Sequence, residues 1–508
     1  MKIDHLQEIS IEDVVRVAVK AEKIEITEET IRAISESNNK VNRILESEKP
    51  VYGINTGFGI FANKTIDKTS IKKLNRNLIL SHSVATGKPL DVSVVRAAMF
   101  IRAVTLAKGF SGLRPEIITT IIEMLNSGVI PVIPQKGSLG SSGDLCQLSH
   151  MALVLSKDEK DLEEESGQAT YNGNVMTGKM AMEEAGIERI ILEAKEGLAI
   201  NNGATFSAAI ASLAVYEAEY LVGIAEIATA LSMEALCARS NVLDKRIHIA
   251  RRQKGQITVS ENIRKFITNS TLLDSKQQVQ DAYSIRCAPQ VIGAILDTVN
   301  YVKTIVEREI NAVTDNPLIF ETGEAISGGN FHGEPVGLAM DFLSIAMSEL
   351  GAISERRTFR LTDEKLSNGL PPMLVSDSKS AGLNSGMMLP QYTAASLVLE
   401  NQTLASPDSI RSLPTSANQE DHNSNAMTAA RHAYEIIENL RQILSIEIYA
   451  ALRGIEIRII NGEGQPGDGT EKIVDLLRNK ISFVKEDTIW GIEINKIYRL
   501  LEEHKLQV

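Results

Sequence analysis

Apolar residues recur at helical spacing over long stretches of the chain after Thr205. They follow one another at intervals of three and four residues, and no proline occurs between Pro134 and Pro289. Because proline removes a helical hydrogen bond and clashes with the preceding turn, this absence favours continuous helix. The pattern predicts one helix over roughly 205–238. Similar segments cover about 290–312, 335–360, 389–405 and 424–453. Five such helices predict a bundle.

The first 200 residues show a different pattern. Shorter helical segments at about 93–108 and 115–126 alternate with glycine-containing turns at 53–59 and 137–143. The last fifty residues begin with the loop NGEGQPGDG at Asn461 and continue in amphipathic helical patterns. These changes predict an N-terminal domain over 1–200, a central long-helix bundle over 201–460 and a C-terminal helical segment over 461–508.

The predicted helices are long for a single subunit. A helix of about thirty residues spans roughly 45 Å, which is more than a compact monomer of this size needs. Partner subunits would cover part of the apolar faces of such helices. We therefore expect a homo-oligomer.

Composition narrows the class of protein. Hydrophobic residues make up 43% and charged residues 23% of the 508, as in globular proteins, and only 4% are aromatic, which favours helices over a β-sandwich. Sixty-five acidic and fifty-three basic residues leave a net charge of −12. Since no basic block marks a nucleic-acid surface, we expect no nucleic-acid partner.

Cysteines and apolar runs bear on the cellular compartment. Cys146, Cys237 and Cys287 form no C-x-x-C pair, so neither a disulfide framework nor a thiolate zinc site is predicted. The N-terminal segment MKIDHLQEIS lacks the apolar stretch of a signal peptide, and no run of eighteen apolar residues occurs. We expect a cytoplasmic protein with no membrane partner and no metal.

Several common catalytic and ligand-binding motifs do not match this sequence. Gly87-Lys88 precedes a proline and lacks the upstream glycine of a phosphate-binding P-loop, and neither H-E-x-x-H nor an EF-hand spacing occurs. The pattern G-x-S-x-G fits residues 140–143 only by forcing, without the strand–turn–helix context of a nucleophile elbow. A hydrolase triad is therefore only weakly indicated.

One loop is unusual in composition. Residues 131–145, PVIPQKGSLGSSGDL, hold three glycines and three serines after a proline-stiffened approach. Composition alone favours a flexible surface linker. Against this, apolar helical sequence flanks the loop on both sides, whereas a linker between domains is usually longer and more polar.

Eight motifs follow one another between YGINTGFG near residue 52 and SANQEDH, which ends at His422. The other six are NLILSHSVATG, KEGLAINNG, VQDAYSIRCAPQ, NAVTDNPLIF, ISGGNFHGEP and SERR. Together with Ser141-Ser142-Gly143-Asp144-Leu145 they resemble the histidine and phenylalanine ammonia-lyase family, whose signature is Ala-Ser-Gly-Asp-Leu. The resemblance implies a mainly α, fumarase/aspartase-like fold, with a long central helical bundle and a smaller loop-rich N-terminal α domain. It also implies a homotetramer whose active sites are assembled from loops of three subunits.

In that family the signature tripeptide cyclises into 4-methylidene-imidazol-5-one (MIO), and no external cofactor is needed. The amide nitrogen of Gly143 would attack the carbonyl of Ser141, which requires an unhindered glycine. Loss of water from Ser142 would then leave the methylidene electrophile. Ser141 contributes its backbone carbonyl, so a serine in place of the usual alanine should be tolerated. Cys146-Gln147 also replaces the usual Ala-Pro.

The resemblance makes Tyr52 the catalytic base. A base that removes a weakly acidic β-proton needs a phenol pKa below its ordinary value near 10, lowered by positive charge or hydrogen-bond donors. From the residue alone, a tyrosine that anchors a glycine-flanked turn is an equally good interpretation.

The motif VQDAYSIRC holds three further candidates. Arg286 matches the residue that binds the substrate carboxylate, which suits a planar guanidinium. Gln280 and Tyr283 precede it by six and three residues, so on a helix or a helical turn they could share its side. The resemblance makes Tyr283 catalytic and Gln280 substrate-binding. A salt-bridged arginine and ordinary helix packing are the alternatives.

Four more positions describe the pocket that the resemblance implies. Asn202 matches a residue that bonds near the prosthetic ring and Phe331 a pocket wall; a turn asparagine and a core phenylalanine are the alternatives. Ser81-His82 stands where phenylalanine-specific relatives carry Phe-Leu and tyrosine-specific ones His-Leu, which resembles the histidine-specific branch. Glu420 agrees, because a carboxylate pairs with an imidazole and stays unpaired beside a phenyl ring. We expect elimination of ammonia from L-histidine to give urocanate.

Departures from the family pattern keep alternatives open. Asn423-Ser424-Asn425 stands where histidine-specific relatives typically have Val-Ser-Met, and Ala204-Thr205 where Thr-Gln is usual. Motif proximity puts these residues near the pocket, where added polarity would suit another substrate. A lyase or 2,3-aminomutase for another α-amino acid is the first alternative, and a non-catalytic helical scaffold is the second. An argininosuccinate or fumarate lyase would need a different signature loop.

Overall fold

Helices account for most of the protein in the computed structural model, which describes residues 1–47 and 49–506. The helices are α1 (Ile11–Ala18), α2 (Glu28–Glu46), α3 (Ile71–His82), α4 (Val92–Ala107), α5 (Pro115–Ser127), α6 (Leu145–Leu155), α7 (Gly178–Glu184), α8 (Glu196–Asn201), α9 (Thr205–Ala235), α10 (Lys245–Arg251), α11 (Lys254–Phe266), α12 (Tyr283–Arg286), α13 (Ala288–Ile310), α14 (Glu334–Thr362), α15 (Met388–Leu404), α16 (Ala426–Ile460), α17 (Asp468–Arg478) and α18 (Trp490–Glu502). The strands are β1 (Lys2–Ile3), β2 (Glu25–Ile26), β3 (Thr86–Pro89), β4 (Ile130–Pro131), β5 (Pro134–Lys136), β6 (Ser156–Lys157), β7 (Gln168–Tyr171), β8 (Asn174–Thr177), β9 (Ile190–Ile191), β10 (Leu318–Ile319) and β11 (Ala325–Ile326). The predicted mainly α class is confirmed.

Local sequence signals set the ends of the shorter helices. Ser10 caps α1: its hydroxyl accepts a hydrogen bond from Asp13 N at 3.2 Å, and the Asp13 carboxylate accepts one from Ser10 N at 2.9 Å. Pro115 opens α5, and Gly128 ends it in the left-handed region at φ +82°. The helices predicted near 93–108 and 115–126 are confirmed as α4 and α5.

The five predicted long helices are confirmed as α9, α13, α14, α15 and α16. The end of α16 was placed wrongly, because this helix continues to Ile460 instead of stopping near residue 453. A glycine after a periodic segment usually marks a helix C-terminus. Here Gly454 lies inside the helix, where a Cβ would be 2.9 Å from the Cβ of Ala235. This glycine therefore serves close packing and not termination.

The described chain forms two compact units. Unit 1 consists of Met1–Tyr216, Lys303–Asp341 and Pro407–Arg431, and unit 2 of Glu217–Val302, Phe342–Ser406 and the chain from His432 onward. Four of the five boundaries between the units fall inside α9, α13, α14 and α16, and the fifth follows α15, between Ser406 and Pro407. The division expected at residues 200 and 460 stays a prediction about the domains of the chain.

Unit 1 is built around α4, in which every residue from Val94 to Ala107 is buried. This helix packs against α1 and α5, while α3, α6 and α8 pack against one another. The small sheets of this unit pair β1 with β2 and β6 with β9 in parallel, and β3 with β5 and β10 with β11 antiparallel. A three-stranded antiparallel sheet has the order β4-β7-β8 and pairs Ile130 with Thr170. The loops between these elements carry most of the sequence motifs.

Unit 2 holds a buried polar network between long helices. The Glu447 carboxylate accepts hydrogen bonds from Arg357 Nε at 2.5 Å and Nη2 at 2.8 Å, and both charged side chains have no exposed surface. The hydroxyls of Ser232 and Ser354 donate to the same carboxylate at 2.7 and 2.5 Å. Because both carboxylate oxygens are bonded twice, the buried charge is tolerated and aligns these helices.

Among residues 1–47 and 49–506, two helices, α9 and α14, are long and apolar enough to cross a membrane by length and composition alone. In each of them 72% of the apolar window is buried inside the protein. This burial is the pattern of a core helix.

Candidate active site

A cavity of about 1410 Å³ lies in unit 1, where several motif-bearing loops meet. The predicted site residues that line it are Tyr52, His82, Ser141, Ser142, Asn202, Phe331 and Glu420. The sequence separates these residues widely, from position 52 to position 420. The fold of unit 1 brings them to one place.

The turn at Asn202 and Gly203 holds the tripeptide 141–143. Asn202 Nδ2 donates a hydrogen bond to Ser142 O at 2.8 Å, and Gly203 N donates to the same oxygen at 3.3 Å. Gly143 has φ +75°, and a Cβ on it would lie 2.0 Å from the carbonyl carbon of Gly203. Backbone conformation and space therefore both require glycine at position 143.

The side chain of Asp144 anchors the loop that carries the tripeptide 141–143. Its carboxylate is fully buried and accepts hydrogen bonds from Ser138 Oγ at 2.8 Å, Ser207 N at 2.8 Å and Ser207 Oγ at 3.0 Å. Burial raises the pKa of Asp144, against the hydrogen bonds from Ser207 and Ser138. Sequence reasoning missed Ser138 and Ser207, because nothing in their own motifs indicates that they share a carboxylate.

Glu420 projects into the cavity beside the tripeptide. The Ser141 hydroxyl donates a hydrogen bond to Glu420 Oε2, and the Ser416 hydroxyl donates one to Oε1 at 3.1 Å. An antiparallel bridge pairs Thr415 with Glu420 and fixes the backbone at this point. The carboxylate is thus oriented by two hydroxyls and still has lone pairs for a ligand.

His82 lies at the C-terminal end of α3, on the same cavity. Its Nδ1 is 3.0 Å from the Ser81 hydroxyl. Burial lowers the pKa of His82 below its ordinary value of 6.5, although a backbone hydrogen bond at Leu78 and the charge of Glu420 oppose the shift. The imidazole is therefore neutral at pH 7, and one of its nitrogens can accept a hydrogen bond while the other donates.

Tyr52 shows a pKa shift opposite to the one that a catalytic base needs. Burial raises the pKa of Tyr52, a backbone hydrogen bond at Gly59 opposes this, and the charge of Glu420 raises it further. No cation contributes to the shift within the described chain. A lowered pKa would require a positive charge or further donors from elsewhere.

Gln280, Tyr283 and Arg286 belong to unit 2 and do not line this cavity. Arg286 donates a hydrogen bond to Gln280 Oε1, and its guanidinium lies 5.2 Å from the centre of the Tyr283 ring. The Gln280 and Tyr283 side chains thus both lie beside the Arg286 guanidinium, and their place in one substrate pocket stays a prediction. Gln280 and Arg286 line a separate cavity of about 430 Å³, and Tyr283 is 70% exposed.

Ser141, which departs from the family pattern, lines the cavity, whereas six other positions that depart from it do not. These positions are Cys146, Gln147, Ala204, Thr205, Asn423 and Asn425. Ala204, Thr205 and Asn423 are buried. Asn425 has φ +51°, a conformation that asparagine tolerates better than most residues.

Two histidines in the cavity lining escaped sequence reasoning. The rings of His332 and His422 stack with their centres 5.8 Å apart and 9° between their planes. His332 Nε2 lies 3.2 Å from His422 O. Both residues belong to motifs that the sequence shows, GGNFHGEP and NQEDH, and this was the available signal. Among residues 1–47 and 49–506, no three His, Cys, Asp or Glu side chains are grouped to hold a metal ion.

Comparisons with known proteins cover almost the whole chain. The family model described as "Aromatic amino acid lyase" matches residues 9–479. A histidine ammonia-lyase of Caldanaerobacter subterraneus subsp. tengcongensis is 46% identical over 98% of this chain and 96% of its own length. That of Alkaliphilus oremlandii is 46% identical over 97% and 95%.

Solved structures agree with the sequence comparisons. The crystal structure of histidine ammonia-lyase from Trypanosoma cruzi has a TM-score of 0.89 at 37% identity, covering 99% of this chain and 93% of that one. Pantoea agglomerans phenylalanine aminomutase has a TM-score of 0.92 at 32% identity, covering 99% of each. The predicted fold is therefore confirmed, and the chain belongs to the aromatic amino acid lyase family and is a carbon–nitrogen lyase.

Proposed function

We propose that this lyase eliminates ammonia from L-histidine to give trans-urocanate. The observation that carries the proposal is the Glu420 carboxylate, oriented by Ser141 and Ser416 in a cavity that His82 also lines. A carboxylate in the cavity gains a hydrogen-bond partner from an imidazole and has none beside a phenyl ring. The names of the relatives quoted above, histidine ammonia-lyases of 46% identity, support the same substrate.

The prosthetic group MIO forms from Ser141-Ser142-Gly143 without an external cofactor. The residues fit this group: Gly143 is free of a side chain where a Cβ would overlap Gly203, and two donors hold the Ser142 carbonyl. The group supplies an electrophile that makes the substrate amine a better leaving group. Its formation requires that Ser142 lose its hydroxyl, so Ser142→Ala removes the group and keeps the fold.

The other side chains of the site bind the substrate or take part in the removal of its β-proton. Tyr52 takes the β-proton, His82 and Glu420 bind the imidazole, and Asn202 bonds beside the tripeptide. Phe331 forms a wall of the pocket. Arg286 holds the substrate carboxylate, with Tyr283 and Gln280 beside it. Fixing both ends of the substrate sets the distance between its β-proton and the Tyr52 oxygen.

The enzyme is a homotetramer whose active sites are shared between subunits. Two facts support this arrangement: Arg286 and Gln280 line a cavity of their own, and no cation in the described part of the chain lowers the pKa of Tyr52. Arg286 of the partner subunit would supply that charge and complete the site. The enzyme works in the cytoplasm on a free amino acid, without a nucleic-acid or membrane partner.

Product analysis tests the function. Purified protein is incubated with each of the twenty amino acids, and the products are separated by chromatography. Histidine should give urocanate and ammonia. Its kcat/KM should exceed that for phenylalanine or tyrosine by a factor on the order of 10⁴. A β-amino acid product would indicate an aminomutase instead. If histidine is inert and another amino acid is consumed, the proposed substrate is wrong.

A further inference from the structure

A buried arginine lies behind the tripeptide and was not assigned by any motif. Arg102 is in α4 and has no exposed surface. Burial lowers the pKa of Arg102 to about 10, against the charges of Asp315 and Asp144, so it stays charged at neutral pH. Among the described residues no carboxylate forms an ion pair with it, and its Nε has no hydrogen-bond partner. Such a costly group needs a structural or chemical reason.

Arg102 binds the end of the short helix α8. Its Nη2 donates a hydrogen bond to the backbone carbonyl of Ala199 and another, at 2.6 Å, to that of Asn202. Nη1 lies 3.4 Å from the hydroxyls of Thr205 and Thr314. The last carbonyls of a helix lack intrahelical donors, and a cation there also complements the helix dipole. Arg102 therefore fixes the path of the chain from Ala199 to Thr205.

This path ends in the turn that holds the tripeptide. Gly203 has φ +135°, and a Cβ on it would lie 2.8 Å from Arg102 Nη1 and 2.5 Å from Thr314 Oγ1. On its other side, Gly203 O accepts a hydrogen bond from Asp144 N at 2.9 Å. Gly203 thus lies between the Arg102 guanidinium and Gly143, and it packs closely against both. A shift of the guanidinium would move the turn and, with it, the tripeptide.

We propose that Arg102 is a positioning residue for the cyclisation of Ser141-Ser142-Gly143, an inference that rests on the proposed formation of MIO. In this step the Gly143 nitrogen forms a bond to the Ser141 carbonyl carbon. The oxygen of that carbonyl leaves as water with the amide protons of Gly143 and Ser142. The Ser142 hydroxyl and α-hydrogen leave as the second water, so atoms balance and no oxidant is needed.

The donors that Arg102 positions act on the charge that this step creates. When the Gly143 nitrogen gives up its proton, negative charge spreads onto Ser142 O. That oxygen already accepts hydrogen bonds from Asn202 Nδ2 and Gly203 N. Preorganised donors stabilise a developing oxyanion without rearranging. A misplacement of reacting groups by about 1 Å costs about 100-fold in rate.

The same helix provides a matched control. Arg96 is also buried in α4 and bonds only backbone carbonyls, with Nε and Nη2 donating to Val17 O at 3.1 and 2.9 Å and Nη1 to Leu125 O at 3.1 Å. None of these partners lies in the loops of the cavity. Arg96→Met therefore costs stability in a similar way and leaves the turn at Gly203 in place.

The experiment measures cyclisation and not turnover. Wild type, Arg102→Met, Arg102→Lys and Arg96→Met are purified at fixed times after induction, and the peptide from Gly137 to Asp144 is weighed. Wild type and Arg96→Met should lose two water molecules completely. Arg102→Met should stay largely unmodified at times when wild type is complete, with a rate about 100-fold lower. Arg102→Lys keeps the charge with a single donor group and should lie between them.

Each result decides one question. An unmodified peptide in folded wild-type protein overturns the proposed function itself. If wild type is modified and Arg102→Met is modified at the same rate, the role of Arg102 is wrong. If Arg96→Met, at an equal loss of Tm, loses modification as much as Arg102→Met, the effect is general destabilisation and the inference fails. If Arg102→Met does not fold, Arg102→Lys decides: a wild-type rate of cyclisation overturns the inference.

Discussion

The Ser141 hydroxyl donates a hydrogen bond to the Glu420 carboxylate, which links the tripeptide to the residue proposed to bind the imidazole. The other oxygen of this carboxylate accepts from Ser416 Oγ at 3.1 Å. The family usually has alanine at position 141, which has no hydroxyl to donate. The orientation of Glu420 in this chain therefore depends on a serine that the chemistry of cyclisation does not require.

Ser141→Ala should separate these two roles. The ring needs only the backbone carbonyl of residue 141, so the peptide should still lose two water molecules. Glu420 loses one of its two hydroxyl donors, and a hydrogen bond to a charged group is worth about 1.5–3 kcal/mol. The KM for histidine should therefore rise about tenfold with a smaller change in kcat. Steady-state kinetics and peptide mass measure both effects.

Ser416→Ala is the comparison for this variant, since Ser416 bonds the other oxygen of Glu420 and lies outside the tripeptide. It should raise the KM similarly and leave cyclisation complete. An unchanged KM in Ser141→Ala would show that the hydroxyl does not orient the carboxylate.

Glu420→Gln should change the pH profile as well as the rate. The charge of Glu420 raises the pKa of both Tyr52 and His82. Removing that charge lowers both pKa values. Activity requires a deprotonated Tyr52 and a neutral His82 imidazole, so the acid limb of the kcat/KM profile should move to lower pH. The plateau should fall roughly 10- to 100-fold for histidine, because a charged hydrogen bond to the imidazole is lost.

The absorbance of the proposed prosthetic group is the control in this experiment, since the proposed cyclisation does not use the Glu420 side chain. A plateau lowered without any displacement of the acid limb would mean that Glu420 does not act on Tyr52 and His82 through its charge.

The long helices could be predicted from the sequence because helical periodicity is a local pattern, and the site residues could be proposed from local motifs. Helical periodicity survives in α9 and α14, and motifs identified Tyr52 and Glu420, which the structure brings to one cavity. Contacts between distant residues could not be predicted in this way. Arg102 looks like any polar interruption of an apolar helix until α4 and the turn at Gly203 are in place.

The same limit explains two other results. Gly454 looks like a helix terminator, and only the neighbouring Ala235 shows that it permits close packing. The pKa of Tyr52 depends on which charges surround it, and sequence gives no distance between Tyr52 and Arg286. Motifs predict which residues belong to a site, whereas the packing of the helices and loops determines which of these residues lie close together within one chain.

Gly143→Ala should block cyclisation in folded protein. A Cβ at this position would lie 2.0 Å from the carbonyl carbon of Gly203, which is backbone and cannot rotate away. The tripeptide must then leave its position against the turn, and the peptide mass should show no loss of water. Circular dichroism should show that the helices persist.

Gly173→Ala is the control for the loss of stability that a side chain in the left-handed conformation causes. Gly173 has φ +79°, close to the +75° of Gly143, but a Cβ there meets nothing within 4 Å. The left-handed conformation costs about 1 kcal/mol with a side chain in either case. Gly173→Ala should lose this stability and cyclise completely; incomplete cyclisation would show that a general loss of stability is enough to prevent the reaction.

Glu234→Gln should stabilise the protein increasingly as the pH rises. Glu234 is buried, accepts a hydrogen bond from Gly467 N at 2.7 Å, and has a second oxygen without a partner among the described residues. Burial raises the pKa of Glu234 from 4.5 to about 7. The folded state therefore holds a proton that the unfolded state releases. This contribution is full below pH 4.5 and is lost as the pH rises through about 7.

Thermal unfolding from pH 4 to 8 measures the difference between Glu234→Gln and wild type. The free energy of unfolding of the variant, relative to wild type, should increase as the pH rises, by up to roughly 3 kcal/mol. Glu217→Gln is the control of opposite sign. Burial raises the pKa of Glu217, but hydrogen bonds and charge from His504 and Arg441 outweigh it and lower the pKa overall. Its variant should lose stability relative to wild type as the pH rises above the acid range. The same slope in both variants would contradict the assignment.

Mixing two inactive variants should restore activity if the active sites are shared between subunits. Tyr52→Phe removes the proposed base, and Arg286→Ala removes the proposed carboxylate ligand, which belongs to the other compact unit of the chain. After joint refolding, some sites in a mixed tetramer draw Tyr52 from one chain and Arg286 from another, so both are intact. A site built within one chain always carries one defect. Light scattering tests whether a tetramer forms, and differently tagged chains test whether the two variants have mixed. Recovered histidine turnover supports shared sites, whereas no recovery in confirmed mixed tetramers would refute them.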